Sequence, residues 1–346
     1  MKPLRVDIAS CRYRAMIGVG GIGAGSFFAL DGNETLGREE SRSGRFVDRH
    51  DYCKLHIISH YVQTLLGEHF TTIPLGKVGD DEVGERLLRE MREAGLELRY
   101  VHKAPGSQTL FSFCFIYPDG SGGNMTTHDS ACSRVDAPFV AAAEPDFARF
   151  AGMGIALAAP EAPLAARQAL LELGARYRLL RVAAFAAGEV APAAAMGMLG
   201  QADLLALNLS EAAAVAGVPA EGRAAAAIAE AALERLRRDN PAAWVTITAG
   251  QHGSWAWDGG RLTHRPAIRT TVASTAGAGD AFLAGMLAGL VAGLSIEAAH
   301  ELATLVAAHS ITSPHTINKE TNRETLWRFA RDTQVSISEP VSRLLS

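Results

Sequence analysis

The chain has 346 residues and a mass of 36.6 kDa, and 48% of its residues are hydrophobic while 20% are charged. This composition supplies a large apolar core and excludes disordered and fibrous proteins. The net charge is −4 and Lys and Arg form no dense block, which argues against nucleic acid as a partner.

Predicted strands and helices alternate through the first part of the chain. Residues 1–7 lack the apolar segment and cleavage site of a secretory signal, so we expect a cytoplasmic protein. An apolar run at 13–19 that ends in glycines predicts a buried strand. Apolar residues at helical spacing predict helices over 51–67 and 81–95, with a strand at 71–76 between them. This order is typical of a sheet covered by helices.

Two segments interrupt the alternation. Residues 31–49 are polar and too long for an ordinary connection, and residues 109–117 and 124–127 have the composition of a β-hairpin. We interpret both segments as one small lid. The predicted division is a main α/β domain over 1–30, 50–106 and 129–335, a lid over 31–49 and 107–128, and a C-terminal tail over 336–346.

The second part of the chain resumes the alternation. Short apolar strands at 154–158, 179–185, 204–207 and 244–248 are separated by Ala-rich helices, which predicts a central, mainly parallel sheet in three α/β layers. The apolar run 281–294 contains three glycines and is shorter than the about 20 residues of a membrane span. It therefore predicts a buried helix with a close neighbour and no membrane partner.

Small residues precede that helix at 274–279 and Asp280 follows them. The amides of Gly277, Ala278 and Gly279 at a helix N-terminus favour an anion. A carboxylate beside a bound phosphate points to a base that deprotonates an attacking hydroxyl. The alternative is a plain glycine-rich turn with Asp280 as the helix N-cap.

Four ordered motifs resemble those of the ribokinase-like, or PfkB-type, sugar and nucleoside kinases. Residues 274–282 match six of the seven specified positions of that family's D-T-x-G-A-G-D-x-F signature. Residues 76–84 are similar to its G-x-V-G-x-D-x-x-G block, residues 208–211 to its N-x-x-E element, and residues 248–253 to its T-x-G-x-x-G segment.

The resemblance implies a ribokinase-like α/β fold with a small β-strand lid, and phosphoryl transfer from ATP to a hydroxyl of a small sugar-like substrate. It implies that Asp280 is the catalytic base and that the backbone of Gly277, Ala278 and Gly279 forms the anion hole. It also implies a lid-mediated homodimer, as found in many relatives.

The resemblance further implies a nucleotide and Mg²⁺ site. Asn208 and Glu211 would organise the magnesium, with Glu211 as the metal residue. The nucleotide-binding positions would be completed by Thr248, Gly250, Gly253 and Thr275. From the residues alone, Asn208 and Glu211 are equally consistent with helix capping, and the glycines with an ordinary strand exit.

The acceptor pocket departs from the family pattern. Ser274 replaces the first Asp of the signature, residues 53–58 lack the family's glycine pair and asparagine, and residues 23–26 lack its aspartate. We therefore expect a rebuilt pocket drawn from the two lid segments and the start of the first helix. Its predicted substrate-binding residues are Asp31, Asn33, Lys54, Asn124 and Thr126, and Lys54 with Arg38 would favour an acceptor bearing a carboxylate or phosphate.

Several alternatives remain open at this point. The same motifs are compatible with a nucleoside kinase or with a catalytically silent regulator that binds a sugar or nucleotide. Residues 18–23 read G-x-G-x-x-G, which in an NAD-dependent oxidoreductase would be followed by a helix. His56, His60 and Cys53 have the spacing of three metal ligands on one helix face, or of a packed histidine pair.

Overall fold

The computed structural model describes residues 2–35, 37–119 and 122–346. The strands are β1 (Ala15–Val19), β2 (Gly23–Leu30), β3 (Gly44–Tyr52), β4 (Thr71–Gly79), β5 (Val101–Ala104), β6 (Leu110–Ile116), β7 (Gly122–Thr126), β8 (Gly154–Ala158), β9 (Leu180–Ala184), β10 (Leu204–Asn208), β11 (Trp244–Thr248), β12 (Ser254–Trp257) and β13 (Leu262–Arg265).

The helices are α1 (Lys54–Leu66), α2 (Glu82–Glu93), α3 (Ala137–Ala141), α4 (Glu144–Arg149), α5 (Leu164–Arg176), α6 (Val190–Ala195), α7 (Met198–Gln201), α8 (Leu209–Ala216), α9 (Ala225–Asp239), α10 (Ala278–Val291), α11 (Ile296–Ser310), α12 (Arg323–Asp332) and α13 (Glu339–Leu345). Of the helices in the described ranges, none combines the length and apolar character needed to cross a membrane.

A nine-stranded sheet forms the centre of the fold, in the order β13-β12-β11-β10-β9-β8-β1-β4-β5. Every pairing from β11 to β5 is parallel, and the β11–β12 and β12–β13 pairings at one edge are antiparallel. The predicted three-layer, mainly parallel α/β class is confirmed. Because parallel strands end at the same edge, β1, β8, β10 and β11 bring their following loops together, where ligands bind in open α/β sheets.

Two apolar cores cover the two faces of this sheet. One core joins α1, α10 and α11 to the sheet and includes Leu55, Ile58 and Leu287. The other joins α5, α8 and α9 to the opposite face and includes Leu170 and Ile228. Strands buried on both sides explain the continuous apolar runs in the sequence.

A smaller, four-stranded sheet in the order β3-β2-β6-β7 forms the lid sheet. The predicted hairpin is confirmed, since β6 and β7 pair antiparallel, with Ser112 opposite Thr126. β2 pairs in parallel with β6, so residues 23–30 belong to the lid sheet and not to the main domain as expected. Leu36, Gly120 and Ser121, within the proposed lid, lie outside the described residues.

The segment expected as a polar loop over 31–49 contains most of β3, which extends to Tyr52. The predicted helix therefore starts later than residue 51, at Lys54, because Cys53 has extended backbone angles at its N-cap. β3 pairs antiparallel with β2. The division of the chain into a main domain and a lid remains a proposal, with a boundary moved to residue 23.

The predicted C-terminal tail is also a packed element. Residues 339–345 form α13, in which Val341 and Leu345 are fully buried in the α1-side core. The amide of Arg5 donates to the carbonyl of Leu344 at 2.9 Å. The apolar pair at i and i+4 supplies the buried face that makes this short segment a helix.

The apolar run predicted as a buried helix is α10, which packs tightly against α11. A Cβ at Gly289 would lie 2.8 Å from the Cβ of Ala299, and one at Gly285 would lie 2.9 Å from the Cα of Ala303. The glycines therefore let the two helix backbones approach closely, as the spacing predicts.

Candidate active site

The N-terminus of α10 forms the centre of the site. Gly277 is the N-cap in a left-handed conformation with φ of 75°, and a Cβ there would lie 2.6 Å from the carbonyl oxygen of Thr316. Among the described residues, the amides of Gly279 and Asp280 have no acceptor, whereas Ala278 donates to the carbonyl of Thr275 at 3.3 Å. The first turn thus presents free amides to an anion.

Asp280 lies in that first turn, so the alternative of Asp280 as N-cap is wrong. Burial raises the pKa of the Asp280 carboxyl, and the Lys54 ammonium opposes this shift. In return, the charge of Asp280 is the main reason that the pKa of Lys54 is raised. The carboxylate and the ammonium are therefore close enough to influence each other, although they belong to helices more than 200 residues apart in sequence.

Glu161 joins this pair from the loop after β8. Its Oε2 accepts a hydrogen bond from the Lys54 amide at 3.0 Å. Burial raises the pKa of Glu161 from 4.5 to about 7, against the lowering effect of the Lys54 charge. Its backbone is left-handed, with φ of 73°, which is uncommon and unfavourable for a residue with a side chain.

The glycine-rich exit of β1 makes room for Glu161. A Cβ at Gly21 would overlap the Glu161 carboxylate. Residues 18–23 lead directly into β2 instead of a helix, so the dinucleotide-binding alternative lacks its required geometry. Glu161 carries no motif by which it could be singled out in the sequence, and its one signal is a Pro160-Glu161 pair at the end of a predicted strand.

Asn208 and Glu211 form a reciprocal cap at the start of α8. The Glu211 carboxylate accepts from the Asn208 amide at 2.7 Å and from its side chain at 2.8 Å, and the Glu211 amide donates to Asn208 Oδ1 at 2.9 Å. The capping interpretation is therefore correct. Burial raises the pKa of Glu211 to about 7, and the charge of Asp280 adds to the rise.

This pair fits a hydrated Mg²⁺ better than a directly ligated one. Each Glu211 oxygen already accepts one hydrogen bond and keeps one lone pair for a water molecule. In the described parts of the chain, no three His, Cys, Asp or Glu residues form a cluster that could hold a metal ion. Mg²⁺ commonly keeps several waters and binds nucleotide phosphates together with one or two carboxylates.

Thr248 lies beside these groups. It ends β11 opposite Asn208 in the sheet register, and its Oγ1 would lie 3.9 Å from a Cβ at Gly279. Gly250 and Gly253 have φ of 54° and 83° and form the turn from β11 into β12. The two glycines shape the turn that follows Thr248. This geometry is also compatible with an ordinary turn at the end of a strand. Thr275 is exposed and its carbonyl supports the turn of α10.

The lid sheet turns a polar face toward Lys54. Ser112 and Thr126 hydrogen bond at 3.0 Å, and the Cys114 thiol donates to Asn124 Oδ1 at 3.6 Å. Burial raises the pKa of Cys114 to about 12. The charges of Asp51 and Glu161 add to this rise and Lys54 opposes it, so all three charges lie near this face. The predicted positions Asn124 and Thr126 therefore share a face with a group next to Lys54.

Asp31 and Asn33 lie elsewhere, in contrast to the sequence interpretation. They follow the far end of β2, the end opposite Gly23, and both are exposed. Asn33 Oδ1 accepts from the Asp119 amide at 3.0 Å and so connects the two lid segments. Because β2 begins at Gly23 and ends at Leu30, Asp31 and Asn33 lie a full strand length away from the end of β2 that is next to Lys54 and Glu161.

The proposed metal trio on α1 does not form. His56 and His60 remain on the helix, but Cys53 packs with Leu110 and Cys132 in a separate cluster at the lid junction. His56 instead contacts the ring of Tyr52, with ring centroids 4.7 Å apart. The packed-pair interpretation therefore describes the two histidines.

Comparisons with known proteins place the chain in a family. Residues 62–323 match the pfkB family carbohydrate kinase profile. A fructoselysine 6-kinase of Shigella flexneri is 39% identical over 67 residues, which is 19% of this chain and 26% of that enzyme, so the chain spans about a quarter of the curated relative it matches.

Solved structures show the same fold. A ribokinase of Cryptococcus neoformans var. grubii serotype A in complex with ADP has a TM-score of 0.75 and 17% identity, over 92% of this chain and 99% of that one. A ribokinase of Giardia lamblia has a TM-score of 0.74 and 17% identity, over the same two shares.

Proposed function

Because the chain belongs to the pfkB family of carbohydrate kinases, we propose that it transfers the γ-phosphoryl group of ATP to a hydroxyl of a small sugar-like acceptor. The observation that carries this proposal is the first turn of α10. There the Asp280 carboxylate, two free amides and the facing Lys54 ammonium combine a base with an anion site. Since its co-substrate is ATP, the reaction is proposed to take place in the cytoplasm.

In the proposed reaction, Asp280 accepts the proton of the acceptor hydroxyl. The resulting oxygen forms a bond to the γ-phosphorus as the bond to the β–γ bridging oxygen breaks, and ADP leaves with that electron pair. The amides of Gly279 and Asp280 stabilise charge on the transferred group, and the Lys54 ammonium adds to this stabilisation. The raised pKa of Asp280 makes it a stronger base than an exposed carboxylate.

Asn208 and Glu211 are proposed to hold Mg²⁺ through water, beside Thr248 in the nucleotide pocket. When bound, Mg²⁺ neutralises charge on the nucleotide phosphates. Gly250 and Gly253 are proposed to let the nucleotide approach the backbone of the β11–β12 turn. Burial raises the pKa of Glu211 to about 7, and a bound cation would favour the charged form of this carboxylate.

The acceptor is proposed to lie between Lys54, Glu161 and the polar face of the lid sheet. Asn124 and Thr126 are proposed contacts on that face, together with Ser112. Such a mixture of hydroxyl, amide and charged groups suits a polyhydroxylated molecule. The name of the Shigella flexneri relative makes sugars with an amine-linked substituent a reasonable part of the acceptor panel.

The opposite face of the lid sheet is proposed to pair with a second copy of the chain. Phe46, Phe111 and Met125 are 45%, 39% and 58% exposed on that face. Phe28 lies between Phe46 and Phe113, at centroid distances of 5.3 and 5.9 Å. An exposed apolar face of this kind is typical of an interface.

The experiment that tests the phosphotransferase proposal is ADP release with Mg²⁺ and ATP. The panel holds sugars, amine-substituted sugars, sugar acids, phosphosugars, polyols and nucleosides. We expect one acceptor to raise the rate, and Asp280→Asn to lower that rate by about 10²-fold or more while ATP still binds. Asp332→Asn, an exposed acid on α12, is the matched control and should keep full activity.

Two other outcomes would redirect the proposal. ATP binding without turnover on any acceptor would favour the silent regulator. Failure of the wild-type chain to bind ATP would overturn the proposed reaction itself.

A further inference from the structure

A second cavity, which we call the α1–α2 cavity, lies between α1, α2 and the loop over 317–322. Its volume is 310 Å³. It shares no lining residue with the group of Lys54, Glu161 and Asp280. The groups that line it and matter below are His56, His60, Glu90, Glu93 and Lys319.

Two of these side chains keep buried polar atoms without a partner. His56 is 1% exposed, and its Nδ1 has no hydrogen-bond partner among the described residues. The same holds for Glu90 Oε2, whereas Glu90 Oε1 accepts from Arg86 at 3.3 Å. Because nearly all buried polar groups in proteins are paired, these atoms show that polar groups beside the cavity lack a hydrogen-bond partner within the described parts of the chain.

The cavity also presents both signs of charge. Glu90 and Glu93 stand on α2, and Lys319 stands on the loop. Within the described ranges, neither Glu93 nor Lys319 forms an ion pair.

Between these charges, His60 has a pKa lowered to about 4 by burial and by Lys319, against a raising effect of Glu90. At neutral pH the His60 imidazole is therefore uncharged. It offers one donor and one acceptor.

We propose that the α1–α2 cavity binds a small zwitterion of the α-amino acid type. Its ammonium group binds Glu90 and Glu93, its carboxylate binds Lys319, and the imidazoles of His56 and His60 complete the hydrogen bonds. A simple anion would face the two carboxylates, and a simple cation would face Lys319. A zwitterion satisfies both charges at once.

The cavity touches the same helix that carries Lys54. Tyr52 packs on His56, and its amide donates to Thr316 Oγ1 at 3.3 Å. The backbone of Thr316 in turn packs against Gly277 at the N-cap of α10. Binding in the cavity is nevertheless a separate property, since it is measured directly and does not depend on the proposed phosphotransfer.

The test measures binding of each of the common amino acids to the full-length chain by calorimetry at millimolar ligand concentration. For the tightest binder, the probes are the amino acid, the amine that lacks its carboxylate, and the acid that lacks its ammonium. The variants are Lys319→Gln and Glu93→Gln, both at exposed positions that leave the core intact. The matched control is Glu230→Gln, an exposed acid on α9.

We expect an amino acid to bind, each half-charged probe to bind at least about tenfold more weakly, and each cavity variant to lose about tenfold or more in affinity. Glu230→Gln should bind like the wild type. Histidine ring signals in the NMR spectrum should shift on binding. The proposal is overturned if no amino acid binds, if either half-charged probe binds as tightly, or if the two cavity variants keep wild-type affinity.

Discussion

At the residue scale, the charges of Lys54, Glu161, Glu211 and Asp280 influence one another. Lys54 lowers the pKa of all three carboxyl groups, while burial raises each of them. The protonation state of the site therefore depends on burial, which favours the neutral carboxyl groups, and on the ammonium group that opposes it. Asp280, as the proposed base, must be ionised to accept a proton. Its pKa should therefore set the acidic limb of the pH–rate profile.

We predict that Lys54→Met moves the acidic limb of the kcat/KM profile to higher pH. Without the ammonium, the carboxylate of Asp280 loses its opposing charge, so its pKa rises further. Turnover should also fall by about 10²-fold or more, because charge stabilisation is lost. The measurement is the pH–rate profile with the acceptor that the ADP-release panel identifies. Lys54→Arg, which keeps the charge, should hold the limb near its wild-type position, and an unmoved limb in Lys54→Met would contradict the argument.

Glu161 and Glu211 predict how stability depends on pH. Each pKa is about 7 in the folded chain against 4.5 ordinarily, so between these values the folded chain holds protons that the unfolded chain has released. The free energy of unfolding should therefore fall as pH rises from about 4.5 to 7. Glu161→Gln should remove ~1–3 kcal/mol of that fall.

Urea unfolding of both proteins at pH 5 and pH 8 measures this difference. Glu172→Gln, on the exposed surface of α5, is the control and should retain the wild-type slope. Equal slopes for the wild type and Glu161→Gln would show that Glu161 ionises normally in the folded chain.

The sequence could predict the residues whose chemistry is local. The glycines before α10 and Asp280 lie within one turn, so their spacing alone places free amides beside a carboxylate. Glu161 could not be found in this way, because it meets Lys54 only when β8 pairs with β1. Asp31 and Asn33 stay untested as substrate contacts: local composition predicts a loop for their segment, whereas the pairing of β2 puts them beyond the end of this lid strand that lies away from Gly23.

At the element scale, the packing of α10 on α11 depends on glycine. Replacing an exposed glycine in a helix by alanine usually raises the free energy of unfolding by up to ~1 kcal/mol. At Gly289 the added Cβ would lie 2.8 Å from the Cβ and 2.9 Å from the Cα of Ala299. The two helices must then separate, which costs more than the gain in helix propensity.

We therefore predict that Gly289→Ala lowers the free energy of unfolding by ~1–3 kcal/mol. Denaturant unfolding monitored by tryptophan fluorescence measures it. Gly188→Ala is the control, because no atom lies within 4 Å of a Cβ there and its φ is not left-handed. If Gly289→Ala raised the free energy of unfolding instead, α10 and α11 could separate at little cost, and the argument from close packing would be wrong.

Helices and strands with a clear pattern of apolar residues could be predicted from the sequence. The strands of the lid sheet were predicted less well. Helices α1, α2 and α10 carry continuous apolar faces, and the central strands carry apolar runs buried on both sides. β3 is different, since Gly44–Tyr52 mixes charged and aromatic residues and its partner, β2, was read as part of the main domain. Pairing between distant segments decides such strands, and local composition does not.

At the scale of the whole molecule, the two faces of the lid sheet have different characters. The face with Ser112 and Thr126 is polar, and the face with Phe46 and Met125 is apolar and exposed. If the apolar face pairs with a second copy, its exposed area is covered in the dimer while the polar face stays over the acceptor.

We predict that the double variant Phe46→Lys with Met125→Lys is a monomer and that the wild type is a dimer, as measured by sedimentation equilibrium. Like charges brought together on a twofold interface oppose association. Val272→Lys changes an apolar side chain that is 53% exposed outside the lid, and it should leave the dimer intact. A wild-type monomer would remove the dimer from the proposal.

The path of the chain between its two sheets has a consequence for engineering. β2 and β3 enter and leave the lid sheet directly beside Ile22 and Lys54, whereas Asn208, Thr248 and Asp280 all come from the later half of the chain. The lid strands proposed to contact the acceptor and the residues proposed to bind ATP and Mg²⁺ therefore belong to separate stretches of sequence. Libraries that randomise the polar face of β6 and β7 should therefore change which acceptor is phosphorylated. They should leave the binding of ATP unchanged.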